Sequence, residues 1–384
     1  MLRALTQWLP SRAKPTAADE RAAEERFAVA SQLQLTWWRF RRHKLALISG
    51  IIVILFYTVV LLADFLAYAD PHDTDSRRSH IPPQAIHLFD DGALRPYVYG
   101  LTQKRDLRTF KISYAPAYDR KVYLKFLAEG YPYYFLGIFP TNRHMIGLEN
   151  PQGVDGIFLL GTDLLGRDLW SRIMVATRVS LTIGLAGVTV SLFLGVLLGG
   201  ISAVYGGMVD VFIQRMIEVL RSMPTIPLWM GLAAALPNNW SVLQVYFAIT
   251  LIISLLGWTD LARVVRGKFL ALREEDFVMA AELAGAGQMR IIFRHMLPSF
   301  LSHIIAATSL ALPAMIISET SLSFLGLGLR PPAISWGILL QDAQNIETLA
   351  LAPWLLASAI PVIVVILAFN FLGDGLRDAA DPYG

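Results

Sequence analysis

The chain has no cysteine in 384 residues, which excludes disulfides, thiolate metal sites and cysteine nucleophiles and leaves its redox compartment unmarked. Charge is scarce as well. Asp, Glu, Lys and Arg form only 16% of the residues, where an average soluble domain carries about a quarter. The 33 Lys and Arg against 30 Asp and Glu leave a net charge of +3, too small to mark a nucleic-acid surface. Of the seven histidines, no two have an HxxxH or HExxH spacing, so no site of the zinc-protease kind is written here. A Gly-x4-Gly-Lys-Ser/Thr phosphate loop is also missing: the one Gly-Lys pair, Gly267-Lys268, is followed by Phe269. The remaining His, Asp and Glu are scattered, without the convergent nucleophile and base that a membrane-embedded enzyme needs. The chain is therefore read as a non-enzyme that carries no metal and no cofactor.

What it has in excess is apolar sequence, with 55% of the residues hydrophobic. Several runs approach the roughly 20 residues that cross a hydrocarbon core about 30 Å thick as helix, and are too long for the short alternating strands of an outer-membrane barrel. The expected fold class is an all-α membrane protein. Residues 1–44 read as a cytosolic tail, with no apolar stretch followed by small residues that would mark a cleaved secretory signal. Arg39, Arg41, Arg42 and Lys44 directly precede the first span, 45–69, and by the positive-inside rule hold the N-terminus in the cytosol. From 70 to 178 hydropathy falls while Pro, Tyr and mixed charges enter. About 110 residues of that kind are too many for a disordered connector and read as a folded extracytoplasmic insert with an amphipathic lead-in to the next helix.

Residues 179–384 read as the transmembrane core. The second span, 179–204, carries Gly184, Gly187, Gly195, Gly199 and Gly200, whose small size lets helices approach closely in lipid. Residues 208–221, with Arg215, Glu218 and Arg221 as surface ion-pair formers, are expected near the cytosolic surface. Pro224 and Pro227 then kink a third span that ends by 236, before a Pro237-Asn-Asn turn. The fourth span is 242–261, the fifth 301–325 and the sixth 349–372, ending at Arg377 and Asp378 inside. This gives about six helices with both termini cytosolic and one long internal cytosolic loop, 262–299.

That loop reads Met279-Ala-Ala-Glu-Leu-Ala-Gly285-Ala-Gly-Gln-Met-Arg-Ile-Ile-Phe-Arg-His-Met-Leu-Pro298. Two helical stretches flank a glycine break; Gly285 or Gly287 supplies the positive torsion favoured at a helix C-terminus, and Pro298 ends the second helix. Phe277, Ala280, Ala281 and Ala284 form a small-residue patch suited to a groove in another protein. Here the sequence resembles the inner-membrane permeases of the bacterial oligopeptide, dipeptide and nickel ABC importers. Their coupling motif is an Ala-Ala pair, usually after Glu, then three residues, Gly, and later Ile and Leu-Pro. Ala280, Ala281, Gly285, Ile291, Leu297 and Pro298 occupy those places, and Met279 stands where Glu is typical, so that contact is either lost or taken over by Glu282. Gly161-Thr-Asp-Leu-Leu-Gly-Arg-Asp168, Tyr205-Gly-Gly-Met-Val-Asp210 and Glu319-Thr-Ser-Leu-Ser-Phe-Leu-Gly-Leu-Gly328 match as well. The likeness runs from about residue 159 to the C-terminus, while 70–158 exceeds the usual first loop.

The resemblance implies the type I ABC importer (MetI-like) fold in the bacterial inner membrane. It also implies the partners: a second homologous permease subunit, two ATP-binding subunits, a periplasmic or lipid-anchored solute-binding protein and membrane lipid, with no nucleic acid. Phe277, Ala280, Ala281, Glu282, Gly285, Ile291, His295, Leu297 and Pro298 would form the ATPase-coupling loop. Within the bilayer Glu319 is costly, and it either lines a pathway or makes a structural hydrogen bond. At 161–168 an external turn with Asp163 as helix cap and Arg167 and Arg172 at the headgroups is expected. The aromatic run Tyr131-Pro-Tyr-Tyr-Phe135 is read as the core of the insert, with a docking face for the binding protein as the other reading. Oligopeptides are the expected cargo, oligosaccharides the alternative, and a self-contained secondary transporter the competing class. That class calls for paired inverted repeats and mid-span ion-binding carboxylates, which are not found here.

Overall fold

The computed structural model describes residues 32–105, 112–149, 155–237 and 239–380, so the expected tail up to residue 31 and part of the turn at 237–239 lie outside the described residues. Helix α1 (Gln32–Phe40) breaks at Arg41 and Arg42, and His43 caps α2 (Lys44–Leu66) by accepting from the Ala46 amide at 3.2 Å. The bundle continues with α3 (Leu169–Tyr205), α4 (Gly207–Ser222), α5 (Thr225–Ala234) and α6 (Val242–Leu272), whose start is closed by a Ser241–Gln244 capping box. After α6 come α7 (Asp276–Leu283), a second helical stretch α8 (288–299), and α9 (Leu301–Phe324). The short helices α10 (Trp336–Asp342) and α11 (Ile346–Leu351) precede α12 (Ala359–Ala380).

Among the described residues five segments are long and apolar enough to cross a membrane: Lys44–Leu66, Leu169–Tyr205, Val242–Leu272, His303–Phe324 and Pro353–Ala379. The expected third span is instead two helices broken at Met223 and Pro224, the apolar one, Thr225–Ala234, being only 10 residues. Helix α3 starts at Leu169, ten residues before the expected span, so the amphipathic lead-in is its first turns; Arg172 pairs there with Asp163 and Asp342, and Arg178 with Asp64. Helix α6 continues past the expected end at 261; its 31 residues reach about 46 Å, longer than a hydrocarbon core about 30 Å thick.

Close packing rests on small residues. An added Cβ at Gly199 of α3 would lie 2.5 Å from the carbonyl oxygen of Ala262 in α6, and one at Gly195 would lie 2.9 Å from Leu261. Ser254 of α6 donates to the Gly187 carbonyl of α3 at 3.1 Å. These contacts advance together along both helices, so α3 and α6 run parallel. Against α9 the course is antiparallel, with Gly184 beside Ile316 and Ser180 bonded to Glu319.

The insert departs from the all-α expectation: it folds as a four-stranded antiparallel sheet in the order β1-β2-β3-β4. The strands are β1 (His87–Asp90), β2 (Ala93–Arg105), β3 (Ile112–Phe135) and β4 (Phe139–Leu148). The cause is local chemistry. Tyr, Val and Phe favour a pleated surface, and the Asp91-Gly92 turn takes φ of 46° and 83°, the primed geometry that joins twisted strands. The sheet is tied to the helical part: Asp155 accepts from the Leu101 amide at 3.2 Å and from Arg120 at 2.6 Å, and His144 Nδ1 lies 2.9 Å from the Asp64 carbonyl of α2.

The helix contacts can be tested one glycine at a time. Gly199→Ala forces α3 from the Ala262 backbone and is expected to destabilise the chain by about 1–3 kcal/mol, whereas Gly267→Ala, which meets nothing within 4 Å, leaves it unchanged or slightly firmer. Thermal unfolding in detergent, followed by size-exclusion fluorescence, measures both.

Candidate functional site

Helix α6 leads directly into a hairpin that hangs from one end of the bundle. Helix α7 ends at Gly285, whose φ of 77° turns the chain back. The Gly285 amide donates to Glu282 at 2.9 Å and the Ala286 amide to Ala281 at 3.0 Å, closing the helix in a Schellman arrangement. Of the two candidate glycines Gly285 makes the turn, while Gly287 is extended at φ −68° and ψ 152°. The returning stretch α8 has a π-helical middle, Ile291–Met296. The expected helix end at Pro298 falls instead at Phe300 (φ −120°), because the wider π pattern, with Leu297 donating to Ile292, already accommodates a proline without an amide.

The hairpin has two faces. Val278, Ile291 and Met296 are buried and pack with Phe269 of α6, Ala203 of α3, and Phe300 and Ile304. Phe269 meets Phe300 edge-on with ring centres 5.3 Å apart. Away from the bundle, Phe277, Met279, Met289 and Phe293 are exposed, and Leu283 is 90% exposed. Of the residues singled out by sequence, Phe277, Ala280, Glu282, Gly285 and Pro298 lie on exposed positions, Ala281, His295 and Leu297 are half-buried, and Ile291 belongs to the anchoring core. Sequence reading missed Leu283, Met289 and Phe293 on the outer face; large apolar side chains in a segment read as cytosolic were the available signal.

A bidentate ion pair braces the same end. Asp210 of α4 accepts from Arg266 Nε at 2.6 Å and Nη2 at 2.5 Å, and also from Ser202 of α3. The elbow before it is built on Gly206 and Gly207, with φ of 58° and 52°.

At the opposite end, Asp163 gathers the amides of Leu165 and Arg167 at 2.9 Å, the Arg167 guanidinium at 2.7 Å, and Arg172. Asp342 completes the group, 3.0 Å from Arg172 and 3.2 Å from Arg167. Two expectations are corrected here. The cap of α3 is Asp168, which accepts from the Ser171 amide at 2.7 Å, and Arg172 is buried in the ion-pair group rather than at headgroups. Tyr68 donates to Asp168 at 3.0 Å; burial pushes the Asp168 carboxyl up to about 7, and burial together with that carboxylate raises the Tyr68 phenol.

Glu319 is fully buried, accepting from Ser180 at 2.9 Å and from Ser323 at 2.8 Å, while Ser180 also accepts the Trp336 amide at 3.1 Å. The exposed Arg215–Glu218 pair (2.8 Å) and the Arg221–Asp260 contact fit surface ion pairing. In the insert Tyr133 is buried and Tyr134 exposed, so the aromatic run is core on one side only.

A family profile described as "Binding-protein-dependent transport system inner membrane component" matches residues 191–383, and one described as "N-terminal TM domain of oligopeptide transport permease C" matches 31–83. Oligopeptide transport system permease protein OppC of Haemophilus influenzae is 38% identical over 60% of this chain and 71% of its own length. The protein of that name in Bacillus subtilis is 35% identical over 63% and 76%, and that in Escherichia coli K12 is 40% identical over 58% and 71%. A solved chain of the MetNI methionine ABC transporter in inward-facing conformations overlays with a TM-score of 0.42 at 17% identity, over 53% of this chain and 96% of that one, and adds no weight. With the profile covering half of the chain and curated relatives matched over more than two thirds of their length, this chain belongs to the family of inner-membrane components of binding-protein-dependent transport systems, a permease rather than an enzyme.

Proposed function

We propose that this chain is the C-type permease subunit of an oligopeptide importer, and that its α7–α8 hairpin receives force from separate ATP-hydrolysing subunits. The observation that carries the proposal is the two-faced hairpin: Val278, Ile291 and Met296 fix it to the ends of α3 and α6, while Phe277, Leu283 and Met289 form an apolar face left exposed among the described residues. Such a face, presented next to a membrane on a short rigid element, fits a groove in another subunit. Closure of an ATPase dimer would drag the hairpin, and with it the helices it grips, between inward-open and outward-open states. The names of the relatives support oligopeptides as cargo.

In this reading a second homologous permease, two ATP-binding subunits and a periplasmic or lipid-anchored solute-binding protein complete the machine. The hairpin faces the cytosol and the sheet lies outside. The parallel course of α3 and α6 supports a return crossing between them, made by α4 and α5 on either side of the break at Pro224, which gives six crossings with both termini cytosolic. Glu319 acts as a buried tie between α3 and α9 rather than as pathway lining.

Leu283→Asp alters an exposed position and is expected to leave folding intact while weakening ATPase-subunit binding by about 2 kcal/mol, roughly 30-fold. Co-purification and transport-coupled ATP hydrolysis in proteoliposomes report it; undiminished assembly and uptake would refute the docking role. Gly285→Asp, at the turn, should likewise insert normally yet uncouple uptake. For Glu319, the Gln variant keeps one serine as donor and turns the other contact round, its amide donating to that hydroxyl, and should unfold within about 1 kcal/mol of the parent, while Ala leaves hydroxyls and a cavity and should cost about 2–4 kcal/mol. A Gln variant that is fully stable but transports poorly would favour pathway lining instead.

A further inference from the structure

Residues 130–142, Gly-Tyr-Pro-Tyr-Tyr-Phe-Leu-Gly-Ile-Phe-Pro-Thr-Asn, hold no charged side chain. They form the end of β3, its turn and the start of β4, with Phe135 paired to Phe139. Two amides of the turn are satisfied within it: Gly137 donates to the Tyr134 carbonyl at 3.0 Å and Ile138 to the Phe135 carbonyl at 3.1 Å, with φ of 53° at Leu136 and 73° at Gly137. Yet the side chains at the tip point away from the fold. Tyr134, Ile138 and Phe139 are 65%, 69% and 61% exposed, and Leu136 is exposed as well. Four large apolar side chains on one uncharged turn are a patch that water disfavours.

The height of this tip is fixed by contacts with α2. Phe135 packs edge-on against Phe65, in the last turn of that spanning helix, with ring centres 6.5 Å apart. His144 bridges the carbonyls of Asp64 and Tyr131, each at 2.9 Å, locking the β3–β4 hairpin to the same turn. Trp170 donates to the Leu66 carbonyl at 3.1 Å, placing an indole at the same level. That level, where an apolar helix ends and Trp and Tyr gather, is where headgroups meet acyl chains.

We propose that the 134–139 tip is a membrane anchor, seated in the interfacial layer of the bilayer with Leu136, Ile138 and Phe139 against acyl chains and the tyrosines among headgroups. Its apolar surface continues the lipid-facing side of α2, where Ile51, Ile54 and Leu61 are exposed. A turn that pairs most of its amides internally suits this layer, where headgroups and water meet the remaining backbone groups. The sheet lies between the segments matched by the two family profiles, 31–83 and 191–383, so the anchor is equipment added to the shared framework. Its effect is to hold the sheet against the membrane as well as against α2.

Because the chain has no cysteine, Ile138→Cys gives a single labelling site at an exposed position. A nitroxide is attached there, the full chain is reconstituted in phosphatidylethanolamine–phosphatidylglycerol liposomes with its partner subunits, and collisions with oxygen and with a water-soluble nickel chelate are compared. The expected result is loss of chelate collisions with retained oxygen collisions at Ile138. The same label at Asp91→Cys, on the turn at the opposite edge of the sheet, stays open to the chelate. Chelate access at Ile138 equal to that at Asp91 would overturn the anchor. So would protection from both reagents, which means a protein contact, or protection that appears only when the solute-binding protein is added.

Discussion

The approach of α3 to α6 through Gly199 and Ala262 sets the layout of the whole bundle. With backbone against backbone, the two longest helices lie side by side and parallel, and both finish at the same end of the bundle. The first then enters the Gly206-Gly207 elbow and the second enters the 276–299 hairpin. Asp210 and Arg266 clasp elbow and helix together, so the parts nearest the hairpin form one unit rather than three loose segments.

Lipid as a solvent explains the polar residues as well as the apolar ones. A charge left alone in hydrocarbon is expensive, and removing one member of a buried pair costs about 3–5 kcal/mol. Here three such groups meet a partner of the right kind: Arg172 meets Asp163 and Asp342, Arg178 meets Asp64, and Glu319 meets Ser180 and Ser323. Apart from the Ser323 bond, which stays within α9, each of these contacts joins different segments of the chain. The polar residues of the bundle therefore specify which helices are neighbours, while the glycines specify how near they come.

The helical core was legible in the sequence because long apolar runs and small-residue spacing are local signals. So was a glycine turn, since a helix end favours a positive torsion whatever surrounds it, although the sequence left Gly285 and Gly287 as alternatives and the fold chose Gly285. What was not legible depended on distant partners. Arg172 read as a headgroup residue, and only the fold brings Asp163 and Asp342 to it, as it brings Asp64 to Arg178. A motif with several acids does not say which one caps α3, and only the fold shows Asp168 against the Ser171 amide. The insert read as folded but of unstated structure under an all-α class, although its Asp91-Gly92 turn between Tyr- and Val-rich strands is a local hairpin signal. Ile291 fits the motif of the coupling loop, yet motif position says nothing about which side of a helix is buried.

Transmission of force through the proposed coupling hairpin depends on relative stiffness. A push on Leu283 or Met289 reaches the bundle only if the hairpin cannot pivot on its own turn. Two features oppose pivoting. The Schellman closure ties α7 to the turn through paired amides, and Val278 and Ile291 come from opposite arms of the hairpin into the same cluster around Phe269. Both arms are thus held by one side chain of α6, a helix too long to end within the bilayer. Displacing the hairpin without displacing α6 would open that cluster to water, at about 25 cal/mol for each Å² of apolar surface exposed. Moving α6 as a body keeps the cluster closed, so the cheaper response to a push is motion of the helix.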